Sequence, residues 1–251
     1  MDDLSGLCDH TFSITGRDER TGALGVCVQT SAIAVGSRCP YAKAHVGALC
    51  SQSLTNPRFG PLALHLLESG YTSLKVIQEL EGSDPYIELR QVGIVDRDGH
   101  SAARTGSDAS QWAGQLTGKN YAAIGNGLVG PQVLEAMVKA FHDSENEALE
   151  ERLVRGIEAG QAAGGENKDH LTDSNSAALL VYDHDSYPRV DLRVDDMSTI
   201  ATEELRRLFE RYKPRIQYLQ LRAVNPEAAQ ALSRNWSSAR TTRPESLQLQ
   251  Q

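Results

Sequence analysis

Residues 8–18 read CDHTFSITGRD. Within them Phe12, Ser13, Ile14 and Thr15 alternate apolar with polar, which predicts a strand that begins at Thr11. A threonine at the head of a strand has two readings. It can be an ordinary strand residue, because a β-branched side chain suits a pleated surface. It can also be a nucleophile whose own freed α-amino group acts as the base, since such amines titrate near pH ~8. The second reading requires removal of the ten residues before it.

Outward from this strand, residues 23–30 predict a second one, joined to the first by a polar turn ending in Gly22. Residues 44–53 (AHVGALCSQS) alternate as a third. Leu62, Leu64, Leu66 and Leu67 predict a buried helix stopping near Gly70, and a second helix is expected over 73–81 with Ser73 as its N-cap. Strands return at 88–95 and 100–104 around the DRDG turn, and at 121–125. Val133, Met137, Ala140 and Phe141 fall at helical spacing, as do Leu149, Leu153 and Ile157. Residues 162–176 read as a polar loop, 177–183 and 189–194 as the last strands, and Leu205, Leu208, Phe209 and Tyr212 as a helix. Asn225-Pro226 has the form of a cap and first turn, and residues from 237 onward are polar enough to be disordered. Hairpins grouped between helix pairs imply an α+β layout of antiparallel sheets covered by helices, since tight turns rather than crossovers join the strands.

Bulk properties narrow the function. The chain has 251 residues, 40% hydrophobic and 23% charged, with a formal net charge of −8. That charge argues against nucleic acid or an anionic membrane as the main partner, and no run approaches the length of a membrane span. The acidic start, Met1-Asp2-Asp3-Leu4-Ser5, is not expected to be a signal peptide. Cys8, Cys27, Cys39 and Cys50 form no CxxC pair, so free thiols in a cytoplasmic protein are expected. No dinucleotide, Walker or GxSxG motif occurs, and the seven histidines show no metal spacing, so neither cofactor nor metal is expected.

The candidate chemistry clusters early. Lys43, just before the third expected strand, is a candidate for lowering the pKa of Thr11, against the commoner reading of a solvated strand-edge lysine. Gln52, Ser53 and Asn56 offer amides for an oxyanion hole, and Arg58 offers a guanidinium for a substrate carboxylate. Structural readings stand beside these: Asn56 shaping the turn before Pro57, and Arg58 in a salt bridge.

Taken together, TFSITGRDERTGALGV, AVGSRCPYAKAHVGAL, SQSLTNPRFGP, RQVGIVDRDGHSAARTG, YAAIGNGLVG, SAALLVYD and VDLRVDD resemble one bacterial family of uncharacterised proteins, domain of unknown function 1028, placed among the N-terminal-nucleophile (Ntn) hydrolases. The resemblance runs from Thr11 to about Tyr212. It implies a four-layer αββα sandwich. Thr11 matches the threonine that begins the first strand, Gln52, Asn56 and Arg58 match a Q…NPR motif, and Gly125 and Asn126 match a GN turn. Two departures stand out: ten residues precede the threonine, and the loop GGENKDHLTDSNSAALLV is longer than in relatives.

These readings combine into one expectation: an Ntn-type hydrolase acting on an amide bond of a small substrate, with a substrate carboxylate as the partner for Arg58. Thr11, Lys43, Asn56 and Asn126 are the catalytic candidates, and Gln52, Arg58 and Arg17 the substrate-binding ones. The domain spans 11–213, after a removable segment 1–10 and before a helical extension 214–236 and a tail 237–251, in a homo-oligomer. The alternatives are a non-catalytic ligand-binding or assembly protein of the same fold, and a hydrolase that uses Ser13 or Cys8 instead.

Overall fold

The computed structural model describes residues 10–167, 175–198 and 200–241. The segment around Cys8, and most of the long loop before the penultimate strand, lie outside them. Ten strands are described: Thr11–Arg17 (β1), Leu24–Thr30 (β2), Pro40–Lys43 (β3), Gly47–Ser53 (β4), Arg90–Asp96 (β5), Ser101–Thr105 (β6), Gly114–Gly118 (β7), Tyr121–Asn126 (β8), Asn175–Tyr182 (β9) and Val190–Met197 (β10). They form a six-stranded sheet ordered β10-β9-β2-β1-β8-β7 and a four-stranded sheet ordered β3-β4-β5-β6. Every pairing between named strands is antiparallel.

Four helices cover the sheets. Phe59–Glu68 (α1) and Ser73–Ser83 (α2) pack on the four-stranded sheet, and Gln132–Asp143 (α3) and Leu149–Ala162 (α4) on the other. Leu49, Val92 and Ile94 meet Phe59, Ala63, Val76 and Leu80 in one core. A second core lies between the sheets, where Val26 and Val28 of β2 meet Ala48 and Cys50 of β4.

The period of two in β1 decides what faces what. Phe12 and Ile14 point toward α4, beside Gly160 and Gly156, while Phe141 packs over Gly16. Burying Phe12 and Ile14 contributes about 1.5–3 kcal/mol each. A slip by one residue would exchange them for polar neighbours, so the register is strongly specified. The opposite face, Thr11, Ser13 and Thr15, is therefore aimed at the second sheet, and all three are buried.

Two strands differ from the sequence reading. Residues 44–53 are not one strand, since 44–46 turn the chain between β3 and β4, with His45 at φ 62°. β7 has no counterpart in the sequence reading. Both β3 and β7 are sheet edges, short and begun by Pro40 or Gly114, where alternation is weak. The cap of α2 is Thr72, whose Oγ1 accepts from the Lys75 N–H at 3.3 Å, not Ser73.

The chain divides into two units, Met1–Leu208 and Phe209–Gln251. The division falls within the helix Ala201–Tyr212 (α5), a little before the expected boundary at 213. In the second unit Ile216–Val224 (α6) packs on Pro226–Thr241 (α7). Asn225 Oδ1 accepts from the Ala228 N–H at 3.0 Å and so caps α7. This helix continues through Thr241, past the point where a disordered tail was expected. No helix among the described residues is long and apolar enough to cross a membrane.

Candidate active site

Thr11 opens β1 between two partners, Thr30 of β2 and Asn126 of β8. Its Oγ1 lies 2.9 Å from Thr30 Oγ1. Thr30 Oγ1 in turn donates to the His10 carbonyl at 2.7 Å. A carbonyl cannot donate and a hydroxyl has one proton, so the Thr11 hydroxyl must donate to Thr30. The His10 carbonyl also accepts from the Ser31 N–H at 3.1 Å, and the His10 N–H donates to Ser31 Oγ at 3.0 Å. The N–H and the carbonyl of His10 are thus both tied to Ser31, just past the end of β2.

Behind Thr11 lies a buried amide network. Gln91 Nε2 donates to the carbonyls of Gly114 and Gly125, at 3.0 and 2.9 Å, and to Thr105 Oγ1 at 2.9 Å. Two carbonyl acceptors fix the orientation of that amide. Gln91 Oε1 then receives Gln52 Nε2 at 2.8 Å and Asn126 Nδ2 at 3.1 Å. The same two nitrogens reach the Thr11 carbonyl, at 3.1 and 3.5 Å. Gln52 Oε1 accepts from Ser13 Oγ at 2.6 Å. Gln52, Gln91 and Asn126 are all fully buried. Such a network rigidifies its surroundings where it is satisfied, and of its buried side-chain atoms Asn126 Oδ1 has no hydrogen-bond partner among the described residues. Here Gln52 and Asn126 both hold the main-chain carbonyl of Thr11.

Thr11 opens onto a pocket of about 350 Å³ lined also by Thr30, Arg38, Ser53, Thr55 and Arg90. Ser53 has φ 66°, a conformation that costs a non-glycine residue energy and is found where function imposes it. Gly127, next to Asn126, has φ 63°, and a Cβ there would stand 2.1 Å from the His10 ring. The GN turn therefore needs glycine after it for steric reasons.

A family of unknown function, DUF1028, matches residues 11–205, beginning on Thr11 itself. The chain belongs to this family. The crystal structure of protein SPO2555 from Silicibacter pomeroyi, a DUF1028 protein, is similar at 30% identity and a TM-score of 0.73, covering 81% of this chain and 89% of that one. Anbu (ancestral beta-subunit) from Yersinia bercovieri aligns over 82% of this chain and 96% of that chain, at 9% identity and a TM-score of 0.36, too low to carry an argument. No curated protein matches the chain.

In this DUF1028 chain, Thr11, Gln52 and Asn126 come together and the other expected site residues do not. Lys43 pairs with Gly47 at the far end of β4, and its Nζ meets Glu68 at 2.6 Å. Five residues separate Gly47 from Gln52, about 17 Å of strand, so the commoner solvated-edge reading describes Lys43. Arg17 ends β1, six residues or about 20 Å from Thr11, and donates to Asn120 Oδ1 at 3.2 Å. Asn56 Nδ2 donates to Asp84 Oδ2 at 3.0 Å and its Oδ1 accepts from the Arg58 N–H at 3.2 Å, so it shapes the turn. Asn56 and the exposed Arg58 line an adjoining cleft of about 700 Å³, which shares Thr55 and Arg90 with the Thr11 pocket. Ser13 is fully buried and committed to Gln52.

Three groups in and around the pocket escaped the sequence reading: Thr30, Gln91 and the cations Arg38 and Arg90. Gln91 carried one available signal, since it shares the β5 face of Gly93, opposite apolar Val92 and Ile94. Asp84 supports Arg90 through Oδ2 at 3.0 Å. Burial alone would raise the Asp84 carboxyl, but hydrogen bonds from the Tyr86 N–H, Asn56 and Arg90 outweigh it and hold it below its ordinary value. Burial pushes the Cys50 thiol well up, so Cys50 is no thiolate nucleophile.

Proposed function

We propose that this protein is an Ntn-type amidohydrolase that frees Thr11 from its own chain and then cleaves an amide bond of a small substrate. The order helix pair, sheet, sheet, helix pair supports an αββα reading of the fold. The observation that carries the chemistry is the relay from Thr11 Oγ1 through Thr30 Oγ1 to the His10 carbonyl.

In the release step Thr11 Oγ attacks the His10 carbonyl carbon. Its proton passes to Thr30 as the Thr30 proton passes to the carbonyl oxygen, so no oxyanion is left uncompensated. Collapse breaks the bond from the His10 carbon to the Thr11 nitrogen, which takes up a proton, and leaves an ester on Thr11 Oγ. Water hydrolyses the ester to a His10 carboxylate and a free Thr11 amine. That amine is the base that the hydroxyl otherwise lacks. On a substrate the same oxygen attacks the amide carbonyl, the amine carries the proton to the leaving nitrogen, and water clears the acyl-enzyme. Leu54 and Thr55, past the strained Ser53, line the pocket and offer backbone N–H groups to the oxyanion.

The second reading is a ligand-binding protein that keeps the chain intact. The hydrogen bonds that clamp His10 to Ser31 favour it, since they stabilise the uncleaved link. Intact mass and N-terminal sequencing of the purified native protein separate the two. A species starting at Thr11, absent from Thr11→Ala, is expected; wild type that never starts there defeats the hydrolase reading.

A further inference from the structure

The Thr11 pocket is lined by two arginines, Arg38 and Arg90, and, among the described residues, by no carboxylate. In a chain with 33 acidic and 25 basic residues, this is a local reversal of sign. The two cations differ in their commitments. Arg90 donates to the buried Asp84 at 3.0 Å and to the Leu54 carbonyl, so its charge is balanced. Arg38 has no acidic partner among the described residues. Its guanidinium makes one long contact, Nη1 to the Ala34 carbonyl at 3.5 Å. Its backbone is nonetheless fixed: the N–H donates to the Val35 carbonyl at 3.2 Å and the carbonyl accepts from the Tyr41 hydroxyl at 3.0 Å. A half-buried guanidinium on a fixed backbone is pre-organised to take a carboxylate through two parallel hydrogen bonds.

We propose that Arg38 is the anion anchor of this pocket and that its ligands are small amides carrying a carboxylate. The placing of the scissile amide rests on the reading of Thr11 as nucleophile, whereas the binding of the carboxylate does not. A volume of about 350 Å³ is at the small end for a ligand pocket, so a short chain must join the two groups. Val35 and Leu54 offer that chain apolar wall. Arg58, in the adjoining cleft, is not the anchor.

The test is calorimetric titration of the full chain with malonamate, succinamate, glutaramate and adipamate, each against its neutral diamide. At least one carboxylate should bind the wild type about tenfold more tightly than its diamide, as a charge-assisted contact implies. Arg38→Gln should abolish that preference and leave diamide binding unchanged, and Arg58→Gln should retain it. If Arg38→Gln does not fold, Arg38→Lys takes its place: it keeps the charge without the fork and should lose part of the preference. The proposal falls if no carboxylate binds the wild type, if Arg38→Gln keeps the preference, or if Arg38→Lys preserves it in full. A Thr11→Ala protein that still cleaves amides removes the nucleophile and leaves the anchor. Cleavage that needs Thr11 but ignores substrate charge does the opposite.

Discussion

The Thr11 hydroxyl donates to Thr30 Oγ1 at 2.9 Å, and Thr30 passes its own proton toward the His10 carbonyl at 2.7 Å. Two adjacent strands thereby connect an attacking oxygen to the carbonyl it would attack. Thr30→Val keeps the shape and removes the relay. It should slow the appearance of a Thr11 amino terminus on the order of 10²-fold, as loss of a positioned acid–base group does. Intact mass followed over time reads this directly, and an unchanged rate would exclude Thr30 from the step.

Thr11→Ala deletes the proposed nucleophile but little packing. Amide hydrolysis should vanish while the urea midpoint moves by roughly 1 kcal/mol or less. Thr11→Ser keeps the hydroxyl and should retain part of the turnover. Wild-type turnover in Thr11→Ala would make this threonine purely structural.

Gln91 is fully buried behind Thr11, and five hydrogen bonds meet at its amide. Gln91→Leu leaves the buried Gly125 carbonyl without this donor and takes one of two acceptors from each of Gln52 Nε2 and Asn126 Nδ2. Destabilisation of about 2–4 kcal/mol is expected by urea unfolding. A loss under about 0.5 kcal/mol would show that water or repacking serves these groups equally well.

Asp84 gives a pH signature. Its folded-state pKa is depressed, so its stabilising contribution is present above the unfolded value, near 3.8, and is lost as pH falls through the folded value. Asp84→Asn should therefore be less stable than wild type at pH 7, and the two melting curves should converge below about pH 3. A gap that persists in acid would assign the loss to packing instead.

Lys43→Ala should leave processing, turnover and melting temperature unchanged. Its partner Glu68 is as exposed as it is, and pairs of that kind contribute little. A processing defect in this variant would contradict the placement of Lys43 at the remote end of β4.

Much of the fold follows from local pattern. Alternation in Phe12-Ser13-Ile14-Thr15 marks β1 and its two faces, because pleating alone sends successive side chains to opposite sides. Helical spacing marks α3 and α4 in the same way, while the family motifs fall mostly on the strands and their turns. Residues at edges were harder to read: β3 is only four residues long, and β7 buries no residue on either face.

The site was legible only where a residue belongs to β1 or repeats a family motif. Thr11, Thr30, Gln52, Gln91 and Asn126 come from five strands, and the Thr11–Asn126 contact spans 115 positions. Their meeting depends on strand order, register and the distance between sheets, none of which local periodicity encodes. Lys43 and Arg38 make the contrast plain. Both are cations near β3, and sequence position favoured Lys43. The antiparallel turn at 44–46 sends Lys43 to the end of β4 remote from Thr11, while Arg38, before β3 begins, is left lining the Thr11 pocket. The sequence by itself determined which strand carries the nucleophile candidate and which way it points. Which charge stands beside it was decided by the direction in which β3 runs.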